Sequence, residues 1–281
     1  MKTLIVGVGL IGGSFAIALR KYGLSDSILG VEASPENAAE ALKLGLVDRI
    51  VSLDEGVAEA DLVVLAVPVD NIPLLAVKLL NRVRPDQTVM DMGSIKSELC
   101  EVISQHPHRD RFVATHPMWG TEYSGPAAAR NDAFTGRTVV LLERERTAPD
   151  ALALVERLYD TVGMHKIYMD SGEDHDLHAA YVSHISHVTS FALALTVLEK
   201  EREEQHIFDL AGGGFESTVR LAKSSSKTWV PILLKNKYNV LDVLREHTHQ
   251  LQIMRKMIEA DDAAGLEKAM QRANSIQRII K

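Results

Sequence analysis

Apolar residues in the first 170 positions fall into short solid runs separated by stretches of helical spacing. Residues 3–8 (TLIVGV), 28–31, 62–67, 88–92, 112–115, 138–142 and 165–168 form the runs, which read as strands buried on both faces. Between them, apolar positions recurring at three and four predict helices over 14–22, 72–80, 94–104 and 149–159. A further helix begins at Ser34-Pro35-Glu36, where Ser34 suits the N-cap and Pro35 the first helical position. Repeated β-α units of this length predict a mostly parallel sheet covered by helices on both sides. After residue 170 the strand-like runs stop, and the pattern predicts helices over 174–199, 215–222, 230–257 and 263–280. The expected organisation is an α/β domain over residues 1–170 and an all-α domain over 171–281, without internal repeats. A helical half of that size is too small for a large core of its own and is expected to pair with a second copy.

Composition changes this picture by exclusion. Hydrophobic residues make up 46% and charged residues 25% of the 281, the balance of a core-forming chain and not of a disordered one. Uninterrupted apolar runs such as 62–69 (LVVLAVPV) stop well short of the ~20 residues that span a bilayer, so no membrane partner is expected. The N-terminal MKTLIVGVGLIGG is broken by glycines and reads as a buried strand and turn, without an export signal. A net charge of −7 at pH 7 argues against nucleic acid, which attracts a basic face. The single cysteine, Cys100, can form neither an internal disulfide nor a thiolate metal site, and suits a reducing cytoplasm.

The first strand runs directly into Gly7-Val8-Gly9-Leu10-Ile11-Gly12-Gly13-Ser14. Gly7 permits a tight turn, Gly9 lets a pyrophosphate approach the backbone, and Gly12 lets helix and strand pack closely. The N–H groups around Leu10 and Ile11, at the positive end of the helix, then face the phosphates. Glu32, at the end of the second strand, is placed to accept hydrogen bonds from a ribose 2′-OH. A 2′-phosphate would be repelled there and no arginine follows, so NAD is favoured over NADP. The glycines alone would also serve a tight turn in a sheet that binds nothing. Their place between strand and helix, with the acid about twenty residues on, points to a Rossmann-type dinucleotide-binding domain. Val67 and Pro68, where the 62–67 run ends, join the candidate cofactor contacts, because ligands of parallel sheets lie at the carboxyl ends of the strands.

The same rule singles out two further strand ends. Asp91-Met92-Gly93-Ser94-Ile95-Lys96 is a small polar turn from which Ser94 can present a hydroxyl to the nicotinamide end. Thr115-His116-Pro117-Met118-Trp119-Gly120-Thr121-Glu122 carries a histidine at the tip of its strand. A histidine there can take a proton near neutral pH, as oxidation of a hydroxyl requires; the alternative is a ring satisfied by backbone partners. In the helical half, Ser183 and His187 share a face and either line a cavity or bond across helices. His175 with His178, and His184 with His187, form two H-x-x-H pairs, but no thiolate or strand-borne ligands accompany them and no metal is expected. Gly212-Gly213-Gly214-Phe215 reads as a loop or a close backbone approach. Arg220, about two turns into the next helix, is a natural fork for a carboxylate, with pairing to Glu216 as the alternative. Trp229 opens another helix and reads as core or subunit interface.

In order along the chain, GxGLIGGS, DMGSIK, THPMWGTE, SHISH, GGGFxSTVR and a following tryptophan resemble the prephenate/arogenate dehydrogenases of tyrosine biosynthesis. The resemblance covers essentially the whole chain and implies a Rossmann-type NAD-binding domain followed by an all-α dimerisation domain. It implies oxidation and decarboxylation of prephenate to 4-hydroxyphenylpyruvate, or of arogenate to tyrosine, with NAD. By the same resemblance His116 acts on the substrate's ring hydroxyl, with Ser94 orienting that pair. Ser183, His187 and Gly213 hold the substrate, Arg220 binds a carboxylate, and Thr121 and Glu122 belong to the pocket wall and its polar gate. Trp229 is expected to come from the neighbouring subunit of a homodimer. Ser217 stands where the family often has an acid, and Ser224-Ser225-Ser226-Lys227 where it often has a proline, so the charges around Arg220 are expected to differ. From the chain length a monofunctional enzyme is expected. Two other readings compete. A β-hydroxyacid dehydrogenase or imine reductase would carry a lysine in the first helix after the sheet, where this chain has Ser183, His184 and His187 and no lysine until Lys200. A non-catalytic NAD-sensing module gives no reason for His116, Ser94 and Arg220 to converge.

Overall fold

The strand-forming runs meet in one sheet. Residues 1–202, 204 and 206–278 are described in the computed structural model. The chain begins with β1 (Lys2–Val6), α1 (Leu10–Lys21), β2 (Ser27–Val31), α2 (Pro35–Lys43), β3 (Arg49–Ile50) and α3 (Leu53–Glu59). It continues through β4 (Leu62–Leu65), α4 (Ile72–Leu80), β5 (Thr88–Asp91) and α5 (Ser97–Ile103). The sheet is completed by β6 (Phe112–Pro117), β7 (Thr138–Leu142), α6 (Pro149–Thr161) and β8 (His165–Met169). Among the described residues its order is β3-β2-β1-β4-β5-β6-β7-β8, parallel throughout except where β7 meets β6. The order reverses between β1 and β4, which opens a crevice at their carboxyl ends.

Both faces of the sheet are buried, as the solid apolar runs require. Ile5, Val64, Met90 and Val113 turn to one face, where Phe15 and Leu19 of α1 and Val155, Leu158 and Tyr159 of α6 cover them. Leu4, Val6, Val63, Leu65 and Val89 turn to the other, under Ile72, Ala76 and Leu79 of α4 and Leu99 and Ile103 of α5. Each such side chain contributes about 1.5–3 kcal/mol of burial free energy, so a one-residue slip of any strand would be heavily disfavoured. Ser34 caps α2 as expected, accepting the Asn37 N–H at 3.2 Å with Pro35 in the first turn.

The helical half comprises α7 (Gly172–Ala179), a π turn at Ala180–His184, α8 (Ile185–Glu201), α9 (Gly213–Val219), α10 (Ser226–Lys235), α11 (Lys237–Glu259) and α12 (Ala263–Asn274). By packing, the chain forms two compact units, Met1–Asn236 and Lys237–Lys281, and every candidate site residue lies in the first.

Several expected boundaries move for identifiable reasons. The 94–104 helix starts only at Ser97, because the Asp176 carboxylate accepts the N–H groups of Lys96 (2.8 Å) and Ser97 (2.9 Å) and fixes the helix start there. The 230–257 helix breaks at Asn236, whose side chain donates to the Asp176 carbonyl at 2.6 Å. Gly213 and Gly214 are not loop: α9 begins at Gly213, with Gly212 as its cap. The 263–280 helix passes into a 3-10 turn at Ser275–Arg278, and positions 279 and 280 lie outside the described residues. Gly172–Glu201 forms one 30-residue helical stretch of mean hydropathy 1.3, long and apolar enough by composition to cross a membrane, with 11% of its apolar window buried. Counting uninterrupted apolar runs missed it because serines and histidines punctuate it.

Candidate active site

The glycine turn lies at the crevice between β1 and β4, and its three glycines meet three different surroundings. Gly7 has φ +93°, and a Cβ there would come within 2.6 Å of the Ala66 carbonyl oxygen at the end of β4. At Gly12 a Cβ would sit 2.1 Å from the Gly7 oxygen and 3.0 Å from Cγ2 of Ile5, so α1 packs directly on the turn. A Cβ at Gly9 would meet nothing within 4 Å, which leaves open space beside the backbone. Leu10, Ile11 and Gly12 form the first turn of α1, which has neither a side-chain cap nor an acidic residue to compete with an anion for its N–H groups. Glu32 stands beside this turn, its carboxylate accepting the N–H of Val8 (3.0 Å) and of Ser34 (3.2 Å). Val67 and Pro68 follow β4 on the far side of the crevice, Val67 half-buried and Pro68 exposed. An open backbone, unsatisfied helix donors and a fixed carboxylate fit a dinucleotide with an unmodified ribose.

His116 lies deeper than a strand tip. β6 outlasts β5, because antiparallel pairing with β7 continues through His116 and Pro117, opposite Val140 and Val139. The ring is 8% exposed. Its Nδ1 lies 2.8 Å from Nε2 of His175, and Nδ1 of His175 lies 2.8 Å from Oδ1 of Asp176. The partner of Nδ1 of His116 is therefore His175, while Ser94 is half-buried in the turn after β5. Burial holds the His116 imidazole well below its ordinary pKa, and the neighbouring His175, Lys96 and His184 push in the same direction. Beneath it, the Lys96 ammonium pairs with the Asp91 carboxylate, both fully buried. Asp91 also accepts the N–H of Gly93 (2.8 Å) and of Thr115 (3.1 Å), which satisfies an otherwise costly buried charge.

The π turn sends two histidines of the helical half to one tryptophan. His187 stacks on Trp229, ring centroids 3.3 Å apart and 21° from parallel, and His184 meets the same ring edge-on at 5.9 Å. Trp229 also packs with Val69 and Ile95, which flank the turns after β4 and β5. Within one chain α10 folds back onto the strand ends and brings this ring to His187. His187 donates from Nδ1 to the Ser183 carbonyl at 3.1 Å, which leaves Nε2 as the acceptor. Burial lowers its pKa; the Ser183 bond works against that shift and Arg220 adds to it. Burial likewise pushes His184 down to about 4, against an upward pull from Asp176, and its Nδ1 meets the Asn236 amide at 3.1 Å.

Arg220 closes α9 and is half-exposed, its guanidinium 3.7 Å from the Glu122 carboxylate and not on Glu216. Thr121 is half-buried beside Glu122 and accepts the Tyr123 N–H at 3.3 Å. Ser217 donates to the Gly214 carbonyl at 2.9 Å, while Gly213 is exposed with nothing within 4 Å of a Cβ. The structure thus ties His187 to Trp229 and Arg220 to Glu122. Sequence reasoning missed His175, Asp176 and Asn236. The one local signal was the His175-Asp176 dipeptide in the first helix after the sheet, a ring and a carboxylate side by side. The two H-x-x-H pairs do not converge on one point: His175 faces His116, while His178 faces the Asp174 carbonyl at 2.7 Å.

A family profile described as "Prephenate dehydrogenase, nucleotide-binding domain" matches residues 15–168, and one described as "Prephenate dehydrogenase, dimerization domain" matches residues 171–272. The chain is 34% identical over 266 residues to the prephenate dehydrogenase of Bacillus subtilis strain 168, covering 94% of this chain and 71% of that protein. It is similar to the crystal structure of prephenate dehydrogenase from Aquifex aeolicus in complex with hydroxyphenyl propionate and NAD+, at 33% identity and a TM-score of 0.88, covering 100% and 98% of the two chains. The crystal structure of Synechocystis arogenate dehydrogenase is 26% identical, with a TM-score of 0.79 and coverage of 100% of both chains.

Proposed function

Because the chain belongs to the prephenate dehydrogenase family, we propose that it oxidises and decarboxylates prephenate to 4-hydroxyphenylpyruvate with NAD, in tyrosine biosynthesis. The observation that carries this reading is His116: a buried imidazole of lowered pKa, held at Nδ1, at the carboxyl end of the sheet that bears the dinucleotide turn.

In this reading the backbone of Gly7, Gly9, Leu10, Ile11 and Gly12 cradles the pyrophosphate, and Glu32 accepts from the ribose, with Val67 and Pro68 along the rim. NAD, when bound, accepts the hydride from the ring carbon that bears the hydroxyl. His116 takes the hydroxyl proton as the carbonyl forms, and Ser94 lends a hydroxyl at the same end. The ring carboxylate then leaves as CO2, its bonding pair enters the ring, and the proton returns to the phenolic oxygen, so atoms and charge balance. Arg220 pairs with a substrate carboxylate, with Glu122 and Thr121 beside it. Ser183, His187, Gly213 and Trp229 line the side-chain end of the pocket. The Glu122 carboxylate next to Arg220 would also suit the amino group of arogenate, the second substrate to test.

We assign residues 1–170 to the NAD domain and 171–281 to a helical domain that pairs with a second copy. The profile matches on either side of residue 170 support that division, as do exposed Leu195 and Leu198 on α8 and Leu251, Met254 and Ile258 on α11. The lone, buried Cys100 suits a cytoplasmic setting.

The deciding assay follows NADH absorbance with NAD or NADP and with prephenate or arogenate. Turnover is expected with NAD and prephenate, and His116→Asn is expected to lower kcat by about 100-fold or more while NAD affinity stays near wild type. Turnover at the wild-type rate in that variant would remove His116 from its role.

A further inference from the structure

The hydrogen bonds behind His116 fix the order of its protons. Asp176 accepts the backbone N–H groups of Lys96 and Ser97 as well as a proton from His175, so it is a carboxylate, and His175 carries its ring proton on Nδ1. Nε2 of a neutral His175 then offers a lone pair, and the 2.8 Å approach of Nδ1 of His116 requires that the His116 proton lie on Nδ1. Nε2 of His116 makes no hydrogen bond to a described residue. It is also not among the buried side-chain atoms left without a partner, so it keeps the little exposure that the residue has. The opposite order needs an imidazolium at His175, 2% exposed and in the same buried cluster as the Lys96 ammonium, and it would aim an N–H at the substrate.

Resting on the dehydrogenase reading above, we propose that His175 and Asp176 are positioning residues that lock His116 in its Nδ1–H tautomer and share the charge when Nε2 accepts the substrate's proton. The substrate O–H bond breaks, the proton alone binds Nε2, and the resulting imidazolium is stabilised toward Asp176 through two hydrogen bonds. The other groups facing His116 are Lys96, already paired with Asp91, and His184, held by the neutral Asn236 amide. Neither can replace His175, because among the described residues only His175 hydrogen-bonds Nδ1.

Histidine labelled with 15N in the ligand-free protein tests the tautomer directly. At neutral pH the His116 signals, assigned through their loss in His116→Asn, are expected to show a protonated Nδ1 and an unprotonated Nε2. Two substitutions then separate positioning from packing. His175→Asn reaches Asp176 but leaves Nδ1 of His116 without its acceptor. His175→Gln restores an oxygen where Nε2 stood. With prephenate and NAD, His175→Asn should lower kcat by about 100-fold with little change in KM or NAD affinity, and His175→Gln should recover about tenfold of that loss. A wild-type His116 protonated on Nε2 would overturn the proposal, as would an unchanged kcat in His175→Asn or the absence of recovery in His175→Gln. If His175→Asn does not fold, the wild-type tautomer alone decides. The dehydrogenase reading fails on a different result: the expected tautomer in a protein that turns over neither prephenate nor arogenate.

Discussion

Gly9 and Gly12 stand three residues apart and would answer an added methyl group in opposite ways. Alanine at Gly12 drives a carbon to within 2.1 Å of the Gly7 carbonyl, so α1 must lift from the sheet. Gly12→Ala is expected to lose about 1–3 kcal/mol or more of stability, seen as a lower Tm. Gly9→Ala meets no protein atom, and should keep its Tm while NAD affinity falls in calorimetry, because the new carbon occupies the space left for the pyrophosphate. Unchanged NAD affinity in Gly9→Ala would displace the cofactor from this turn. These glycines were legible in the sequence because each requirement is met within a dozen residues. Glu32 and His116 followed from a rule about strand ends. His175 was not legible in its true role: the atom it serves lies 59 residues away on β6, and no spacing along one helix encodes that meeting.

At the scale of elements, the patterns that read well were those set by local periodicity, and those that shifted were set by contacts from far along the chain. The β1 to β8 runs appear where solid apolar stretches predicted them, apart from the two-residue β3. The start of α5 and the break between α10 and α11 could not be read, because Asp176 and Asn236 decide them from outside. The join between α5 and α7 is correspondingly tight. A Cβ at Gly172 would fall 2.7 Å from the Lys96 carbonyl carbon and oxygen and 2.8 Å from Cα of Ser97. Gly172→Ala should push α7 away and stretch the Asp176 bonds. The expected cost is about 1–3 kcal/mol in urea unfolding, with kcat reduced more than NAD affinity. A variant as stable and active as wild type would show that the join yields.

Across the whole molecule, two buried histidines and a half-buried third give stability a direction with pH. His116, His184 and His187 are all held below their ordinary pKa by burial, His184 at about 4. The unfolded chain binds a proton at each near pH 6.5 while the folded chain does not, so this stability is complete above that pH. It is lost as the pH falls below 6.5 toward the folded values, by up to about 1.4 kcal/mol per pH unit for each of His116 and His184 and by less for the solvent-screened His187. Urea midpoints should therefore drop between pH 7 and pH 5, and His184→Gln should flatten that slope whatever its effect at pH 7. An equal slope in the variant would assign the acid sensitivity elsewhere. Asp176 acts at a lower pH: burial raises its carboxyl, but the His175 and Ser97 bonds outweigh this and bring it below the ordinary carboxylate range.

Cys100 turns the same frame into something that can be timed. It is the one thiol in the chain, sits buried in α5, and is pushed up to about 12 by burial first and then by the Glu143 charge. At neutral pH an alkylating reagent finds almost no thiolate in the closed protein and reacts only through moments when α5 opens. Since the first N–H groups of α5 hold Asp176, the pace of alkylation becomes an internal stopwatch for how often the support behind His116 comes apart.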